Sequence, residues 1–115
     1  MDLYHVDIRL PDGFKLPARR VELAWTNHAK KACSNDRYGD IQQFSSIPLQ
    51  VFKTIEVGVE NNRVVKVVVR GRMTKDLDLV LVLIPNIDRP WTVKTVWINE
   101  RNDLHKTLDH SKYVR

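Results

Sequence analysis

The sequence predicts an α+β fold in which N-terminal strands and one or two short helices pack on a four-stranded antiparallel β-meander. Three observations carry that expectation. Four successive runs, LQVFKTIEVGVE, RVVKVVVRGRM, LDLVLVLIP and PWTVKTVWIN, are rich in β-branched and aromatic residues and are joined by short polar turns. One stretch, NHAKKACSND, spaces its apolar residues as a helix does. The length of 115 residues suits a single domain, 1–115, with one modest core.

Taken in chain order, Tyr4, Val6, Ile8 and Leu10 alternate with His5, Asp7 and Arg9, the period of a half-buried strand. PDG at 11–13 reads as a turn. In RVELAW the residues Val21, Leu23 and Trp25 share one side, and Pro17 just before them suits an edge strand or a loop. Thr26 is placed to N-cap the helix, whose apolar stripe is Ala29, Ala32 and Cys33. Residues 38–48, with Gly39, two adjacent serines and Pro48, read as an irregular connection. In the last strand Trp91 and Trp97 share parity with Val93 and Thr95, which assigns them to the core-facing side.

The turn of the first hairpin sets which side chains share a face, because a one-residue slip moves every one of them to the other side. A two-residue loop at Asn61 and Asn62 would mix Ile55, Val57 and Val59 with Lys66 and Arg70. A loop of Asn61, Asn62 and Arg63 instead aligns them with Val65, Val67 and Val69 and leaves one face wholly aliphatic. The second register is expected, since it buries no charge. Its opposite face then carries Thr54, Glu56, Gly58, Val64, Lys66, Val68 and Arg70.

Charge and composition narrow the function classes. Nineteen basic against 14 acidic residues give a formal charge of +5, which favours polyanionic partners such as RNA or other nucleic acid. No run approaches the roughly 18 apolar residues of a membrane helix, and the N-terminus has no signal-peptide pattern, so a cytoplasmic protein with no membrane partner is expected. A single cysteine, Cys33, can form no internal disulfide.

Three constellations could carry chemistry. The expected register gathers Glu56, Lys66 and Arg70; cutting RNA without a metal needs a base for the 2′-hydroxyl, cations for the phosphate and an acid for the leaving oxygen. The plain alternative is a cross-strand ion pair on a wet face. The tail holds Asp103, His105, Thr107, Asp109, His110 and Tyr113. His105 or His110 could protonate a leaving group, and Tyr113 could bind phosphate or stack a base, or the tail is a solvated helix with Leu104 and Leu108 inward. His105 and Asp109 stand four apart, but no HExxH or Cys-pair spacing accompanies them, and neither metal nor cofactor is expected. The third is the helix, where His28 in the first turn is a candidate base or a packing residue, and Arg37 beyond its end a candidate substrate ligand.

The T-x-H-A opening of the helix, the Arg-Tyr-Gly after it, RVVKVVVRGRM and VKTVWIN resemble small RelE-like phage and bacterial proteins of the barnase, EndoU, colicin and RelE superfamily. The resemblance covers about residues 21–113. It implies metal-independent RNA cleavage, with an antitoxin or host factor as a further partner, or a binding module that keeps the fold without the chemistry. It matches His28 to the family's helix histidine, Lys66 and Arg70 to basic residues of the central strands, and Lys94 and Thr95 to the last strand. Glu56 as base and a tail histidine as acid are similar in role and order to the barnase type.

Overall fold

The computed structural model describes residues 2–4, 20–49, 51–100 and 113–114. Its elements are β1 (Asp2–Tyr4), β2 (Arg20–Trp25), α1 (Asn27–Asn35), β3 (Ser46–Pro48), β4 (Lys53–Glu60), β5 (Arg63–Arg72), β6 (Leu77–Ile84), β7 (Trp91–Glu100) and β8 (Tyr113–Val114). The expected strand over Tyr4–Leu10, the PDG turn and the tail from 101 to 112 lie largely or wholly outside the described residues.

The expected fold class is corrected. β4 to β7 are antiparallel neighbours, but they form the middle of one eight-stranded sheet ordered β3-β2-β7-β6-β5-β4-β1-β8. That sheet is mixed, because β2 lies parallel to β7 and β8 parallel to β1. Among the described residues α1 is the one helix, nine residues long. The physical reason is that each outer strand of a four-stranded meander leaves a row of unpaired N–H and C=O groups. Here β2 pairs with β7 and β1 with β4, extending the sheet on both sides. Strands of two or three residues, such as β1, β3 and β8, are too short to show a period in the sequence.

Both faces of the sheet are buried, which explains why LDLVLVLI reads as a nearly continuous apolar run. Leu79, Leu81 and Leu83 of β6 join Val67, Val69, Val93, Val96 and Ile98 in the main core, under Ala29 and Cys33 of α1. Val80 and Val82 point the other way and pack with Val68, Ile55 and Trp97. Burial raises the Cys33 thiol above its ordinary pKa, so it stays protonated and acts as a small hydrophobe. Gly71 faces the main core, where the Phe52 ring occupies the space a Cβ would need.

The first hairpin uses both registers weighed from the sequence. Its turn is the two-residue one, with Asn61 at φ 52° and Asn62 at φ 60° and Glu60 opposite Arg63. Asparagine tolerates this left-handed backbone, and paired positive φ values match the twist of the flanking strands. Pairing then shifts: Val59 faces Val64, but Gly58 faces Lys66, so Val65 is an extra residue on β5. Between Glu56 and Gly58 the register is the one expected, with Val57 opposite Val67. A second bulge at Ile55 shifts it back, so Thr54 faces Val69.

These bulges settle the faces. Glu56, Lys66, Val68 and Arg70 share the second face, as expected, while Val64 packs on the main core and Ile55 joins the second face. A bulge at Lys94 does the same to β7, because Val82 pairs with Thr95 and Leu83 with Val93. Trp91 therefore lies in the main core and Trp97 on the opposite face, which corrects the shared side expected for them.

Candidate nucleic-acid interface

Two groups of charged side chains emerge, and they differ in burial. The first lies on the second sheet face. Glu56 stands opposite Val68 and Lys66 opposite Gly58, which is the diagonal spacing a lysine stem can span. Lys66 Nζ reaches Glu56 Oε1 at 3.0 Å, with the Glu56 side chain only 2% exposed and that of Lys66 23%. Arg70 turns away from this pair: its Nε lies 2.7 Å from Asp78 Oδ2, and its NH2 group donates to the Glu100 carbonyl at 2.9 Å. Burying charges this deep is costly unless they are paired and hydrogen-bonded.

The sheet thus brings Glu56 and Lys66 together and gives Arg70 a different carboxylate. A phosphate arriving here would have to displace Glu56 from Lys66 or Asp78 from Arg70. Thr95 is half-buried opposite Val82 on β7. His105 and His110 lie outside the described residues; Tyr113 belongs to β8, paired with Leu3. Asp78 was missed from the sequence, although its parity with Val80 and Val82 in LDLVLVL places it on the face of Arg70.

The second group surrounds α1. Thr26 caps the helix by accepting from the Ala29 N–H at 3.1 Å, and its hydroxyl donates to the Val93 carbonyl at 3.0 Å. The Lys94 carbonyl lies 3.4 Å from the same hydroxyl, so the bulge at Lys94 sits against the N-terminus of α1. His28, Lys30, Lys31 and Lys94 are all exposed. The helix holds no acidic residue. Among the described residues no ion pair engages Lys30, Lys31 or Lys94. The unbonded N–H groups of the helix start carry partial positive charge, so cations placed early in α1 add to that potential instead of offsetting it.

Arg37 lies past the other end of α1. Asp36 fixes that end: one carboxylate oxygen accepts from the Ile98 N–H at 3.0 Å and the other from the Tyr38 N–H at 3.0 Å. The Arg37 guanidinium lies over the Tyr38 ring, 4.8 Å from its centroid. The Tyr38 hydroxyl donates to Glu100 Oε1 at 2.8 Å, and this bond, followed by desolvation, raises its pKa above 10.0. No sequence signal links Asp36 or Tyr38 to β7, because the partners are 62 residues away.

Among the described residues no cluster of three or more His, Cys, Asp or Glu could hold a metal ion, and no helix is long and apolar enough to cross a membrane. Compared with known proteins, the chain matches no family model, no curated protein and no solved structure.

Proposed function

We propose that this chain binds nucleic acid as a polyanion through the outer surface of α1 together with Lys94. The observation that carries the reading is the placement of Lys30, Lys31 and Lys94, exposed and free of ion pairs among the described residues, on the first half of an acid-free helix and beside its start. Such a surface repels itself until an anion arrives, and phosphate at a helix start is held by both charge and backbone dipoles. Lys66 and Arg70, the cations first matched to phosphate, support this reading less because each already faces a carboxylate.

Metal-independent RNA cleavage, the activity implied by the RelE-like resemblance, is the second reading. The adjacency of a carboxylate and a cation at Glu56 and Lys66 favours it. One experiment separates the two. Purified protein is titrated into labelled RNA and DNA of about 20 nucleotides, single-stranded and duplex, by fluorescence anisotropy in EDTA, and the RNA is then run on a gel. Binding that weakens steeply with salt and leaves RNA intact supports the polyanion module. Metal-free cleavage abolished by Glu56→Gln would establish the nuclease, and no salt-sensitive binding to any probe would sink the polyanion reading.

A further inference from the structure

We propose that Tyr38 is a positioning residue that holds the Arg37 guanidinium ready for phosphate, making Arg37 part of the same nucleic-acid surface as Lys30, Lys31 and Lys94. The inference rests on the polyanion reading above and extends it past the C-terminal end of α1. An exposed arginine ordinarily samples many rotamers, and fixing it on a ligand sacrifices that freedom. Arg37 instead rests on an aromatic face, 4.8 Å from its centroid.

That face is itself held in place. The Tyr38 hydroxyl is bonded to Glu100 of β7 at 2.8 Å, and the Tyr38 N–H to Asp36 at 3.0 Å. Asp36 is bonded in turn to the Ile98 N–H of β7 at 3.0 Å. The chain turns away at Gly39, whose φ of +113° a side chain would resist and whose N–H donates to the Asp36 carbonyl at 3.1 Å. Tyr38 also packs against the main core. A platform tied to β7 at both Asp36 and Tyr38 thus carries a planar cation whose edge can take two phosphate oxygens at once. Nine residues of helix span about 13 Å. That separates Arg37 from the Lys94 end by the axial rise of about four phosphates on one duplex strand, at about 3.4 Å each.

The test is a double-mutant cycle on the full chain, read as duplex affinity by anisotropy. Arg37→Ala is expected to weaken binding about tenfold, the size of one charge-assisted hydrogen bond. Tyr38→Leu is expected to weaken it several-fold in the wild-type background and not at all once Arg37 is alanine. Tyr38→Phe loses the Glu100 bond but keeps the ring, and should restore most of the affinity that leucine loses. The {¹H}-¹⁵N NOE of the Arg37 Nε should fall toward that of a free side chain in Tyr38→Leu alone. If Tyr38→Leu weakens binding equally with and without Arg37, or if the Arg37 NOE is already low in wild type, Tyr38 positions nothing and the inference fails while the polyanion reading stands. If the wild-type protein binds no nucleic acid, the reading and this inference fall together.

Discussion

The second sheet face and the α1 surface both carry cations in this basic chain, yet they treat them in opposite ways. On the sheet face Lys66 and Arg70 are mostly buried and each meets a carboxylate within 3.0 Å. Around α1, Lys30, Lys31 and Lys94 are exposed, with Lys30 in the first turn, Lys31 just after it and Lys94 beside the helix start. Burial forces a charge to be paired, whereas exposure allows like charges to stand together at small cost in a screened solvent. A net charge of +5 therefore says little about where a polyanion would bind; the distinction lies in which cations are already satisfied.

Removing one member of the buried pair should have the largest effect. Lys66→Met leaves Glu56 at 1% exposure without its ammonium partner, and a loss of about 3 kcal/mol in urea unfolding is expected. A loss below about 0.5 kcal/mol would show that the pair contributes no more than a surface ion pair and would erase the contrast. Thr26→Ala comes next. It removes the helix cap and the bond to Val93 that seats α1 beside Lys94, so a loss of about 1 kcal/mol together with weaker nucleic-acid binding is expected. Stability lost without any change in affinity would separate the helix seat from the interface.

Lys30→Gln and Lys31→Gln should shift unfolding by less than about 0.5 kcal/mol, as substitutions of exposed surface residues do. The smallest effect concerns pH. The bond to Glu100 raises the pKa of Tyr38, so the folded state favours the neutral hydroxyl. Its contribution is complete below the ordinary tyrosine value of 10.0 and is lost as pH climbs through the raised folded value. The difference in thermal midpoint between wild type and Tyr38→Phe should shrink across that alkaline window, and a difference that grew instead would reverse the assigned direction.

Much of the sheet was legible in the sequence and much of its wiring was not. β-branched composition located β4 to β7, and residue spacing located Thr26 and the Ala29 and Cys33 stripe. The bulges at Ile55, Val65 and Lys94 were invisible, because an extra residue in a strand follows from packing on both faces and leaves no local mark. They decided the site: the bulge at Val65 lets a two-residue turn coexist with the pairing that sets Glu56 beside Lys66, and the bulge at Lys94 carries Trp97 to the opposite face. Parity in LDLVLVL would have placed Asp78 on the face of Arg70, but their meeting depends on the β5–β6 register, which sets Arg70 opposite Val80 and Arg72 opposite Asp78. The links from Asp36 and Tyr38 to β7 depend on contacts 62 residues apart, beyond the reach of any local pattern.

The central claim is that Lys30, Lys31 and Lys94, free of ion pairs among the described residues, and not the paired Lys66 and Arg70, hold the polyanion. The dependence of duplex affinity on salt tests it most directly, measured for wild type, for Lys30→Gln/Lys31→Gln/Lys94→Gln and for Lys66→Met. Each neutralised phosphate adds about 0.9 to the slope of log affinity against log salt. The account predicts that the triple variant loses about 2.7 from that slope while Lys66→Met keeps the wild-type value. An unchanged slope in the triple variant, with a reduced one in Lys66→Met, would move the interface to the sheet face and contradict it.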